Sequence, residues 1–120
     1  MADRPFTRAL ADAADGFFAS LRSQRNVRIQ VVVAIAVIVA AALLHFDSFR
    51  WAVLMLTIGM VLTAELFNTA LEHTVDCAAP EENEHARRAK HAGAAAVLVA
   101  SLAAAVVGIV LFGPALWHRW

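Results

Sequence analysis

One cysteine, five scattered glycines and no net charge set the first limits on this 120-residue chain. Cys77 has no partner for an internal disulfide, so cysteine usage fixes no redox compartment. Gly16, Gly59, Gly93, Gly108 and Gly113 stand too far apart for a P-loop or a kinase glycine-rich loop. Ten basic residues are matched by ten acidic ones, which gives no support to a nucleic-acid partner. The segment MADRPFTRAL carries no apolar core behind its charges, so no cleaved signal peptide is expected there.

Apolar residues are what the chain has in excess. The hydrophobic fraction is 61% and the mean hydropathy +0.65, against about 45–50% apolar residues in soluble domains. A soluble fold this small would leave much of that surface facing water. A bilayer removes the difficulty. Crossing a hydrocarbon core of about 30 Å takes roughly 20 mostly apolar residues. Ile29 to Phe46 and Ala92 to Trp117 contain no Lys, Arg, Asp or Glu, and Trp51 to Leu71 contains only Glu65. The fold class expected is therefore all-α, an integral membrane protein in a single domain. Its spans fall at about 27–46, 50–76 and 90–116.

A tight turn, His45 to Arg50, and a solvated loop, Ala79 to Arg88, are expected to join the spans. Three crossings put the N-terminal segment and the second loop on one side. Together they hold Arg4, Arg8, Arg22, Arg25, Arg28, Arg87, Arg88 and Lys90, leaving only Arg50 and Arg119 opposite. The positive-inside rule makes the richer side cytoplasmic. Ahead of the first span, Phe6, Leu10, Ala13, Phe17 and Leu21 recur at helical spacing opposite Arg8, Asp12, Asp15 and Arg22. The pattern predicts an amphipathic surface helix over about residues 5–25, weakened at Gly16.

The informative stretch is Glu65-Leu-Phe-Asn-Thr-Ala-Leu-Glu-His-Thr-Val-Asp76. At about 100° per residue, Glu65, Asn68, Glu72 and Asp76 fall in a sector of roughly 80°, a stripe about 16 Å long. A carboxylate inside a span costs at least ~2.5–3.5 kcal/mol, which makes it a functional-site candidate. The plainer reading is a hydrogen bond gluing two helices, but glue does not need three carboxylates and an amide in register. Like charges this close repel unless a proton or a cation intervenes. Oxygen-only ligands suit Mg²⁺, which often binds one or two carboxylates together with phosphates. The deepest acid then suits a general base, and a layout with the metal-phosphate end nearer the cytoplasm suits phosphorylation of a lipid alcohol. Composition alone does not choose this over proton or ion transport. Lys90 is a candidate phosphate contact, or else a cation snorkelling from the flank of the third span.

The same run closely resembles the signature of the prokaryotic diacylglycerol kinase family, which includes undecaprenol kinases. Leu21-Arg-Ser-Gln-Arg-Asn-Val-Arg-Ile29 is similar to the family's segment leading into its first span. Ala89-Lys-His-Ala-Gly-Ala-Ala-Ala-Val-Leu98 is similar to the one leading into its third. The resemblance implies a homotrimer in the bacterial inner membrane with active sites shared between subunits. It also implies Mg-ATP-dependent phosphorylation of a lipid hydroxyl, on undecaprenol or diacylglycerol. Glu65 would be the general base and Asn68 its polar neighbour. Glu72 would ligand the metal, with Gln24 at a second ligand position. Asp76 would organise the nucleotide end, Lys90 would contact ATP phosphates, and Glu81, His91 and Arg8 would be further nucleotide contacts.

Three positions depart from the family pattern. Gln24 stands where the family usually has Glu, keeping an oxygen but losing its charge, so metal affinity should fall. His91 replaces an Asp, and Gln30 replaces a histidine common in the undecaprenol-type branch. His73 and the Arg25-Asn26 pair look more like that branch than the diacylglycerol one. The alternatives are an inactive or retuned member acting as a membrane scaffold, or an ion- or proton-translocating subunit with Glu65 as carrier. A soluble metal bundle is disfavoured, because Glu82-Asn-Glu-His85 is a single Glu-x-x-His where such bundles use two.

Overall fold

The computed structural model describes residues 5–118, and these form four helices and no strand. Helix α1 spans Phe6–Ser23, α2 Arg25–Leu43, α3 Ser48–Ala78 and α4 Glu84–Trp117. The last three are long and apolar enough to cross a bilayer. Arg4 and Arg119, counted above for orientation, lie outside the described residues.

Helix α1 runs unbroken through Gly16, so that glycine weakens the helix without interrupting it. The break comes at Gln24, whose extended backbone (φ −111°, ψ 115°) ends α1 and begins α2. Arg28 secures this corner. Its Nη1 donates to the carbonyls of Arg22 (2.7 Å) and Leu21 (3.2 Å), two acceptors left open by the end of α1.

The α2–α3 turn closes over His45, which takes a left-handed conformation (φ 57°), one that His tolerates better than most residues. Asp47 caps α3 by accepting from the Arg50 backbone N–H at 2.9 Å. Around this turn lies the apolar core, where buried Ala41, Phe46, Leu54 and Leu111 pack against Trp51 and Phe112. The ring centroids of Phe46 and Phe112 are 4.9 Å apart. The best-packed end of the bundle is thus the end away from the acidic stripe.

The second connection is shorter than the sequence suggested. Helix α4 begins at Glu84, which shortens the expected loop over Ala79 to Arg88 and puts His85 on a helix. Two local effects explain the extension. Asn83 Oδ1 accepts from the Ala86 N–H at 2.8 Å, and Glu84 bonds Arg87 and Arg88 three and four residues on. Glu84, Arg87 and Arg88, read as loop, are therefore mutually paired residues in the first turns of a helix, while Glu81 and Glu82 remain in the connection.

Helices α3 and α4 pack along their lengths, while α1 and α2 lean on α3. No more than 22% of the most apolar window of any span is buried. Val32, Ile35, Val39, Leu102, Val106 and Ile109 are among many large apolar side chains on open faces. That distribution suits a hydrocarbon surround or neighbouring subunits, not water.

Candidate active site

Helix α3 sorts the stripe by depth. Glu65 is buried, with 3% of its surface exposed. Asn68 and Glu72 are half-buried and Asp76 is exposed. The inward face that carries Glu65 also carries buried Leu54, Val61 and Thr69. Amphipathic spacing within an otherwise apolar helix thus leads the polar groups from the interior to the open end of the bundle.

Glu65 Oε2 is buried with no hydrogen-bond partner among the described residues. A buried polar group left in this state is costly, so a protein retains one for a reason other than packing. One turn on, Thr69 donates its hydroxyl to the Glu65 carbonyl at 3.0 Å, which satisfies the hydroxyl without touching the carboxylate. Asn68 Nδ2 donates to Glu72 Oε1 at 3.3 Å, while Asn68 Oδ1 is buried and unpartnered. At the open end, Lys90 Nζ of α4 lies 2.5 Å from Asp76 Oδ1, tying the two helices together. Glu72 is also close enough to act electrostatically on Lys90.

Two pairs named from sequence are therefore brought together, Asn68 with Glu72 and Asp76 with Lys90. Others are not. Arg8, Glu81 and His91 are exposed and Gln24 is half-buried at the α1–α2 corner. Among the described residues, none of these four forms a hydrogen bond or ion pair with the stripe. Gln30 lines an apolar cavity of about 130 Å³ between α2, α3 and α4, with Val33, Leu54, Thr57, Val61 and Val107.

Among the described residues no three His, Cys, Asp or Glu side chains gather into a metal cage. The donor set still fits Mg²⁺, which needs only one or two carboxylates when phosphates and waters complete its shell. Glu72, half-buried and held by one amide, offers such a carboxylate.

Sequence reasoning assigned no role to Thr69 or Gly93. Thr69 lies just outside the stripe and is found from its position four residues after Glu65. Gly93 is marked by being the one glycine in the alanine-rich start of α4. A small residue there lets two helices approach closely.

Comparison with known proteins gives the family. The model of the family described as prokaryotic diacylglycerol kinase matches residues 11–112. An undecaprenol kinase of Bacillus subtilis is 32% identical over 111 residues, covering 92% of this chain and 90% of the relative. A diacylglycerol kinase of Synechocystis is 46% identical over 95 residues, 78% of this chain and 54% of that longer relative. The diacylglycerol kinase of Escherichia coli K12 is 30% identical over 118 residues, 96% of this chain and 93% of the relative. With a match over most of its length and three apolar spans, the chain belongs to the prokaryotic diacylglycerol kinase family, a family of membrane-embedded lipid kinases.

Proposed function

We propose that this protein transfers the γ-phosphoryl group of Mg-ATP to the hydroxyl of a membrane lipid, undecaprenol or diacylglycerol. The reaction is placed at the cytoplasmic face of the bacterial inner membrane. The observation that carries this reading is the unpartnered Glu65 carboxylate, buried on the same helix face as an exposed acid paired to Lys90.

Depth along α3 supports the assignment. If Trp51 marks the far edge of a hydrocarbon core of about 30 Å, then at 1.5 Å per residue Glu65 lies about 9 Å inside the near edge. On the same scale Glu72 lies close to that edge and Asp76 about 8 Å beyond it. A lipid hydroxyl can descend to Glu65, while the base and sugar of a nucleotide stay outside near Asp76 and its phosphate chain extends inward past Glu72 to meet that hydroxyl.

Glu65 accepts the proton of the lipid hydroxyl as its oxygen bonds to the γ-phosphorus. The bond from that phosphorus to the bridging oxygen breaks, and ADP departs. Asn68 holds Glu72 in place by its amide. Lys90 exchanges its contact with Asp76 for a phosphate oxygen, offering a charge-assisted hydrogen bond. Glu72, with Gln24 as a further oxygen donor, would hold the magnesium ion, which when bound neutralises phosphate charge. Arg8, Glu81 and His91 are the outer nucleotide contacts. The N-terminus and second loop face the cytoplasm, and three copies of the chain form a trimer that shares its sites.

The direct test is transfer of labelled phosphate from ATP in lipid bilayers containing Mg²⁺ and either undecaprenol or diacylglycerol. Label should appear in one lipid and be lost in Glu65→Gln and Glu72→Gln. Loss of a general base should cost roughly 10²–10⁴-fold. Full transfer by Glu65→Gln would refute the assigned role.

A further inference from the structure

We propose that Gly93 is a positioning residue, holding the Asn68 carboxamide on Glu72 by offering it no side chain to collide with. The inference rests on the lipid-kinase reading and adds to that site a residue on the facing helix. Gly93 sits in α4 with an ordinary helical backbone, because no glycine here has positive φ. It is therefore not present for backbone freedom. Alanine is the better helix former, and alanine surrounds it at Ala92, Ala94, Ala95 and Ala96.

What distinguishes the position is what lies across from it. A Cβ added at Gly93 would collide with Asn68 Oδ1 and come within 2.9 Å of Leu71 Cδ2. At Gly16, Gly59, Gly108 and Gly113 the same atom would meet nothing within 4 Å. The Leu71 methyl is the end of a flexible chain and can swing aside. The Asn68 carboxamide cannot do so without cost. Its Nδ2 donates to Glu72 Oε1 at 3.3 Å, and turning the amide over would aim its oxygen at a carboxylate, acceptor against acceptor.

The same contact accounts for the buried, unpartnered Asn68 Oδ1. That oxygen is pressed against the Gly93 backbone, where a Cα–H group is a weak donor. A methyl at residue 93 forces the carboxamide back toward α3 and off Glu72.

The test combines spectroscopy of the unliganded protein with kinetics. In isotope-labelled protein in lipid nanodiscs, without Mg²⁺ or ATP, the Asn68 side-chain NH₂ resonances are identified by their loss in Asn68→Ala. In Gly93→Ala they should move toward their positions in Glu72→Ala, where the acceptor is gone. In the phosphorylation assay, Gly93→Ala should lower kcat roughly tenfold or more, the scale of a lost hydrogen bond to a charged group. In an Asn68→Ala background the same substitution should cost less than about twofold, because coupled residues are non-additive.

Leu71→Ala should not rescue Gly93→Ala. Should Gly93→Ala fail to fold, Asn68→Ala must restore a folded chain. The proposal is overturned by unmoved Asn68 resonances, by equal cost in both backgrounds, by rescue through Leu71→Ala, or by a misfolded Gly93→Ala that Asn68→Ala leaves misfolded. A wild-type protein that phosphorylates neither lipid would refute the kinase reading, while the resonances would still decide the contact between Gly93 and Asn68.

Discussion

Replacing Glu65 by glutamine keeps the side chain's volume and removes a charge from a site with 3% exposure. An unpaired buried carboxylate is expensive, and a neutral amide costs less there. Glu65→Gln should therefore unfold at a higher temperature than the wild type while losing phosphoryl transfer, a split that thermal denaturation in bilayers and the labelled-ATP assay measure together. A lower unfolding temperature would mean that the carboxylate is a structural group. At the α1–α2 corner the opposite change is informative. If Gln24 belongs to the ion's shell, Gln24→Glu adds a charged ligand there and should tighten apparent Mg²⁺ affinity several-fold. An unchanged metal titration would remove Gln24 from the ion's shell. The stripe was legible in the sequence because helical spacing fixes which side chains share a face. The Gly93 contact was not, because closeness between two helices depends on their crossing and not on either pattern alone.

The elements show the same division. Spans read from apolar runs reappear as α2, α3 and α4 because in a bilayer the backbone must satisfy itself, and a helix does so. What the runs concealed was the polar start of α4, where capping and ion pairs extend a helix through charged residues. Hydrogen bonds from Arg87 and then Arg88 hold the Glu84 carboxyl below its ordinary value of 4.5. A depressed carboxyl contributes to helix stability above its unfolded value and loses the contribution as pH falls through the folded one. The first turns of α4 should therefore stay intact from neutral pH down to about pH 4.5 and fray below it. Amide hydrogen exchange at Ala86 to Lys90 checks this, and in Glu84→Gln the pH dependence should vanish. Protection independent of pH in the wild type would show that the Asn83 cap alone holds the helix.

For the whole molecule, the decisive property is how little of each span is covered within one chain. A bundle whose spans bury no more than 22% of their most apolar windows has faces to spare for lipid and for copies of itself. Native mass spectrometry from bilayers should find three chains per particle, and a monomer that retains full activity would remove the shared-site arrangement. The fold class was readable from composition and run length. Assembly was not, since an open apolar face is equally suited to a fatty chain or to another helix.

Helix α3 has 31 residues, about 46 Å at 1.5 Å per residue, and so outruns the hydrocarbon it crosses. It works as a depth gauge. A bilayer a few ångströms thicker draws Asp76 toward the oily layer, and a thinner one lifts Glu65 toward the headgroups. Because mismatch is met by tilting or by deforming the bilayer, turnover should peak at one acyl-chain length and decline on either side. The membrane's own thickness would then set the rate at which its lipids are phosphorylated.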